Sequence, residues 1–243
     1  MSLNTLEDIA AFIVSDGKGI LAADESNPTC GKRFDSIGVE STEPNRRDYR
    51  EMLFRSSGMR DNIGGVILFD ETIRQDAKDG TSLVQVICDQ GALPGIKVDQ
   101  GLKPLDGSPE ETLTQGLEGL NGRCAEYFQL GAKFTKWRAV IKIDGNLPSS
   151  ECIESNMKAL AEYAKIVQDN NNMTKEASFK AKVKSSILPY PNFITASLII
   201  MLPLSVCCFG FQPNSISLLA ICCLDPILNG MYFVFVFNST TVG

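Results

Sequence analysis

Apolar positions recur along residues 1 to about 170 in two alternating rhythms. Short runs of strand character fall at residues 19–23, 65–69, 95–99 and 134–143. Between them lie stretches with helical spacing. Ile9, Phe12 and Ile13 follow a capping-box pattern at Thr5–Asp8, with Gly17 as a stop. Tyr49, Met52 and Leu53 form a second stripe, and Leu83, Val86 and Ile87 a third. A fourth combines Leu113, Leu117, Leu120 and Cys124, and a fifth, behind Pro148 and Ser149, combines Ile153, Met157, Leu160, Ala161 and Ala164. Strands alternating with helices over connections this long predict parallel pairing and an α/β fold. Length and rhythm leave a doubly wound sheet and a (β/α)8 barrel both open.

Polar residues inside the strands favour the barrel, because a plain parallel sheet carries aliphatic residues on both faces. In the third run Lys97 and Asp99 share one face, and in the fourth Lys136 and Arg138 do, while Trp137 points the other way. Trp137 is therefore expected beneath helices, with the charges facing the interior. The first run ends in Asp24-Glu25-Ser26, which places a carboxylate at the carboxyl edge of its strand, where barrels carry their chemistry. Three cations (Lys97, Lys136, Arg138) and two carboxylates (Asp24, Asp99) in one interior suit either an anionic ligand or a set of internal ion pairs, since an unpaired buried charge costs several kcal/mol.

Charge and composition narrow the chemistry. A net charge of −6 argues against nucleic acid as a partner. The chain has 0 His, which excludes Ser-His-Asp and Cys-His machinery and every His-ligated metal site. All 23 Lys and Arg lie at or before Lys184, and Asp225 is the single charge beyond it. The chain reads as two sequences joined end to end.

The first of them resembles a known family. Gly17-Lys18-Gly19-Ile20-Leu21-Ala22-Ala23-Asp24-Glu25-Ser26, Gly64 to Phe69, Pro94-Gly95-Ile96-Lys97-Val98-Asp99 and Lys133-Phe134-Thr135-Lys136-Trp137-Arg138 are similar, in order and interval, to class I fructose-1,6-bisphosphate aldolase. Gln115 to Leu120, Arg123-Cys124-Ala125 and Glu162-Tyr163-Ala164 add to the likeness. The resemblance implies an α/β fold of partial (β/α)8 TIM-barrel type, about the first four βα units. It also implies a lyase of glycolysis, in which a lysine amine attacks the ketone of a sugar bisphosphate. The resulting iminium draws electrons so that the C3–C4 bond breaks to dihydroxyacetone phosphate and glyceraldehyde 3-phosphate. That chemistry needs no cofactor and no metal. By the same resemblance Asp24 and Lys136 are the catalytic pair beside the imine. Ser26, Arg33, Lys97 and Arg138 contact substrate phosphate. The partner implied is a sugar bisphosphate, a homo-oligomer is compatible with it, and the location implied is cytoplasmic. Gln100 departs from the lysine usual after Val-Asp, and Thr29 stands where a serine is common.

The resemblance stops near Asn171. The strand with two glutamates, the Schiff-base lysine and the later phosphate loop of the family have no counterpart, and Lys175, Lys180, Lys182 and Lys184 lie in a polar stretch unlike any family strand. The expected organisation is therefore an aldolase-like half-barrel over 1–171, a polar linker over 172–184 and an apolar tail over 185–243. A half-barrel leaves its first and fourth strands as open edges. The tail has three readings: a membrane hairpin within 193–237, a replacement core, or sequence from an alternative transcript end. Membrane association arises only through that tail, where Pro203 and Asp225-Pro226 interrupt the two apolar stretches. No signal sequence is read before Thr5, and the eight Cys are read as structural or incidental.

Overall fold

A computed structural model describes residue 3 and residues 6–170, 215–225 and 230–234. The polar linker at 172–184 and the first apolar stretch at 193–211 lie outside the described residues.

The chain begins with helix α1 (Leu6–Ile13) and a 3-10 turn (Ser15–Gly17) that ends on Gly17 at φ +75°. Strand β1 (Gly19–Ala23) follows, then α2 (Asn27–Asp35) and α3 (Glu43–Phe54). Each of these helices starts where the sequence supplies a start. Pro28 occupies the first turn of α2, and Thr42 accepts a hydrogen bond from the Asn45 amide at α3. A short α4 (Met59–Asn62) leads into β2 (Ile63–Leu68), α5 (Asp70–Ile73), α6 (Leu83–Asp89) and β3 (Leu93–Lys97). A hairpin of β4 (Leu102–Leu105) and β5 (Ser108–Thr114) comes next, then α7 (Leu120–Gln129), β6 (Phe134–Lys142) and α8 (Ser150–Asn170).

Strands β1, β2, β3 and β6 pair in that order, all parallel. The sheet curls. A flat sheet would hold β1 and β6 three strand spacings apart, about 14 Å, yet the Nζ of Lys136 on β6 reaches the carboxylate that follows β1. The four strands are the first half of a barrel wall.

Register sorts the residues into layers. Ala22, Ile67, Gly95 and Phe134 are partners across the four strands. Gly95 is required there, because a Cβ on it would stand 2.3 Å from the Phe134 ring. Ile67, Leu93 and Phe134 join Ile13 in a small apolar cluster that seats α1 against the amino ends of the strands. Gly64 permits that approach, since a Cβ there would lie 2.2 Å from the Ile13 carbonyl oxygen. On the other face Val66, Leu68, Ile96, Trp137 and Ala139 pack with Phe54, Leu83, Ile87, Leu120 and Tyr163 from the helices in the main core. Trp137 is fully buried there and stacks on Tyr163 with ring centroids 5.1 Å apart, as the alternation in its strand predicts.

Three expected stripes differ. Leu113 lies in β5 and Leu117 in a loop, and only Leu120 and Cys124 are helical. Gly116 at φ +122° and Gly119 at φ +66° break the helix the spacing suggested. In α8, Ile153 and Met157 are exposed, while Cys152, Asn156, Leu160 and Tyr163 face inward. A buried Asn is tolerated because its side-chain amide donates to the carbonyls of Thr112 and Cys152, tying the helix to the hairpin. Met52 of α3 is also exposed, and the buried positions of that helix are Arg50 and Phe54.

Beyond the half-barrel, strand β7 (Ser215–Asp225) runs antiparallel to β6, from Lys142 opposite Ser215 to Lys136 opposite Ile221. Strand β8 (Gly230–Val234) pairs antiparallel with β7. Among the described residues no helix is long and apolar enough to cross a membrane.

Candidate active site

One step beyond the Ala22–Phe134 layer, the inward positions become charged. Lys97 is the register partner of Lys136, and Asp24 follows the last residue of β1. The Lys136 ammonium donates to Asp24 Oδ2 at 2.5 Å, with both side chains about nine-tenths buried. Lys97 donates to the backbone oxygen of Asp99 at 2.7 Å and lies 2.9 Å from its Oδ1. Arg138, two residues after Lys136 and on the same face, makes none of the ion pairs found among the described residues, and its buried Nε has no hydrogen-bond partner. Two ion pairs and one uncommitted guanidinium leave a net positive mouth, which suits an anionic ligand.

The hairpin fixes the far end of β6. Thr114 Oγ1 donates to the carbonyl of Arg138 at 2.6 Å and Thr112 Oγ1 to that of Val140 at 3.2 Å. The two threonines sit two residues apart on β5 and therefore on one face, matching two carbonyls with the same spacing. Arg123 of α7 donates to the carbonyls of Val98 and Gly116, which holds the turn after β3.

The remaining predicted residues lie on the segment after β1. Ser26 is the residue before α2, and its hydroxyl shares a hydrogen bond of 3.1 Å with Thr29. Arg33, on the same helix, is largely exposed and places Nη1 3.2 Å from Glu25 Oε1. Glu25 is the residue the sequence reading passed over. It also meets Arg50 and Tyr49 of α3, at 2.8 Å and 3.3 Å. Asn27 donates to Glu71, which takes a two-point contact from Arg46 at 2.8 and 2.7 Å. That Arg46 contact holds Glu71 below the usual carboxylate range, and burial beside the Glu25 charge pushes the Tyr49 hydroxyl up. Nothing in the spacing of α3 pointed to Arg50, because its contact is with a residue 25 positions earlier.

Glu111 on β5 anchors the start of α8. It is almost fully buried and accepts from the Ser149 amide at 2.7 Å and hydroxyl at 2.6 Å, while Ser149 Oγ accepts from the Cys152 amide. Burial works against its ionisation, but the Ser149 hydrogen bonds prevail and hold Glu111 below its usual value of 4.5. A carboxylate depressed in the folded state contributes stability above its unfolded value and loses it as pH falls through the folded one. Glu111→Gln is expected to lose about 1–3 kcal/mol at neutral pH and to show a shallower decline in acid. Urea unfolding of both forms at pH 7 and below 4.5 checks this; equal acid slopes would count against it. Among the described residues no three His, Cys, Asp or Glu side chains converge as a metal cradle.

A curled parallel half-barrel with a carboxylate–ammonium pair at its carboxyl mouth defines a site of the α/β-barrel class. The class-I fructose-bisphosphate aldolase family model matches residues 5–174, and the chain belongs to that family. It is 52% identical over 169 residues to the probable fructose-bisphosphate aldolase class 1 of Xanthomonas campestris pv. campestris, covering 70% of this chain and 51% of that one. It is 52% identical over 161 residues to the cytosolic fructose-bisphosphate aldolase 5 of Arabidopsis thaliana, covering 66% and 45%. The solved fructose-bisphosphate aldolase of Plasmodium falciparum, in complex with TRAP and a small-molecule inhibitor, aligns with TM-score 0.67 at 45% identity, over 68% of this chain and 48% of that chain. The chain spans about half the length of the curated relatives it matches.

Proposed function

We propose that this chain carries the phosphate-facing half of a fructose-bisphosphate aldolase site and binds fructose 1,6-bisphosphate without cleaving it. The observation that carries the reading is the Asp24–Lys136 contact, which joins the first and fourth parallel strands under an uncommitted Arg138. In this reading Arg138 and Lys97 engage a phosphate, each by charge-assisted hydrogen bonds. Ser26 and Arg33 serve the other phosphate from the loop after β1. Asp24 stands beside the reacting carbons as proton acceptor and donor, and Lys136 orients it.

Among the described residues, the mouth offers no uncommitted amine as a nucleophile in this reading. Lys97 and Lys136 are each committed to a carboxylate, so neither amine is placed to attack a ketone. The Schiff-base lysine of the family belongs to a later strand with no counterpart after residue 171. The organisation proposed is the half-barrel over 1–171, a polar linker over 172–184 and a tail over 185–243. The cytosol is its place by family, with membrane attachment through 193–237 alone.

Calorimetric titration of the full chain with fructose 1,6-bisphosphate, followed by borohydride treatment and intact mass measurement, tests both halves of the reading. Saturable binding with no mass increase and no triose phosphate is expected. A trapped adduct or turnover would overturn the second half, and absence of binding the first.

A further inference from the structure

We propose that Arg50 is a positioning residue for the aldolase-like site, holding the Asp24–Asn27 segment so that the Asp24 carboxylate faces Lys136. Arg50 is only 2% exposed, in the middle of α3. Its two terminal nitrogens address different parts of one residue: Nη2 donates to the Glu25 carbonyl at 2.9 Å, and Nη1 lies 2.8 Å from Glu25 Oε2 as an ion pair outside hydrogen-bond geometry. Side chain and main chain of Glu25 are thereby fixed together, which a single ammonium cannot do. The guanidinium stands 5.2 Å from the centroid of the Tyr49 ring, whose hydroxyl donates to Glu25 Oε1.

Every side chain of the segment is engaged. Asp24 meets Lys136, Glu25 meets Arg50, Ser26 meets Thr29 and Asn27 meets Glu71, itself held by Arg46. Arg46 and Arg50 are one turn apart on α3, so a single helix controls both ends of the loop. As a device for stability alone a buried arginine is a poor choice, because an apolar side chain of similar size often does as well or better. Its value here is geometric, since a displacement of about 1 Å at a binding or catalytic carboxylate is enough to lose most of its effect.

The inference rests on the sugar-bisphosphate reading for its purpose, but its test does not. The Asp24–Lys136 coupling is measured on the full chain by a double-mutant cycle with D24N and K136M in urea, first with Arg50 and then in the R50M and R50K backgrounds. The expected coupling, about a thousandfold or more in the unfolding equilibrium constant, falls by about tenfold or more in both backgrounds, because neither replacement holds Glu25 by side chain and carbonyl at once. Glu25→Gln, which keeps an acceptor beneath Arg50, is the milder background if R50M does not fold, with a smaller loss expected. Unchanged coupling, whatever the change in overall stability, would assign Arg50 a purely structural role and overturn the proposal. Fructose 1,6-bisphosphate titration supplies the second arm, with about tenfold weaker binding expected in R50K and equal binding counting against the inference. If the unaltered chain binds none, the functional reading falls and the coupling arm alone decides Arg50.

Discussion

Truncation of Trp137 to alanine is expected to destabilise the fold by about 3–5 kcal/mol, the range for emptying a large aromatic position in a packed core. The side chain is fully buried, stacks on Tyr163 and lies in the cluster that joins β2, β3 and β6 to α6, α7 and α8. Domains of this size have net stabilities of about 5–15 kcal/mol, so the loss approaches the whole margin. Trp137→Phe is expected to cost far less. The indole Nε1 has no hydrogen-bond partner, so the replacement gives up area but no polar contact. Urea unfolding followed by circular dichroism measures both, since the single Trp that would report by fluorescence is the residue removed. A loss below about 1 kcal/mol for the alanine variant would mean that the sheet and helices do not pack as described.

The same strand shows what can be read from sequence and what cannot. Alternation with a period of two placed Trp137 on one face and Lys136 with Arg138 on the other, and both placements hold. Strands β1, β2 and β3 were legible for a related reason: each is an apolar run flanked by turn residues, and a parallel wall buries both of its faces. The β4–β5 hairpin was not legible. Its sequence, rich in Thr, Glu and Pro, lacks apolar alternation, and its hold on β6 comes from two threonine hydroxyls whose target carbonyls are 24 and 28 positions away. Helix α8 misled through one residue, because Asn156 occupies an inward position that an apolar count assigns outward, which turned the predicted stripe toward Ile153 and Met157. At the site, the charges on strands announced themselves by being out of place in a buried wall. Glu25 and Arg50 did not, since a carboxylate on a loop and an arginine on a helix look like surface residues until the fold brings them together. Local pattern reports which face a residue takes, and long-range pairing is set by topology.

Removing either partner of the Asp24–Lys136 pair should lower stability, yet the two variants are expected to move anion binding in opposite directions. Lys136→Met leaves the Asp24 carboxylate about nine-tenths buried with its ammonium gone, and Asp24→Asn leaves the ammonium without its carboxylate. Each change is expected to cost about 3 kcal/mol, at the low end for breaking a buried pair, because the remaining charge keeps its desolvation penalty and loses its partner. The double variant, in which neither charge is present, should recover most of that loss. Binding follows a different rule. With Lys136 removed, the mouth loses one positive charge and keeps an unpaired Asp24 carboxylate that competes with phosphate for Arg138 and Lys97, so affinity for fructose 1,6-bisphosphate falls about tenfold or more. With Asp24 neutralised, Lys136 is released beside Arg138, and affinity for inorganic phosphate and for the sugar bisphosphate rises. A lower unfolding midpoint accompanied by tighter phosphate binding in Asp24→Asn would separate a site that spends stability on orienting a carboxylate from an ion pair that only braces two strands. If both variants weaken binding in proportion to their loss of stability, the pair is a brace, and the positive mouth has no ligand of its own.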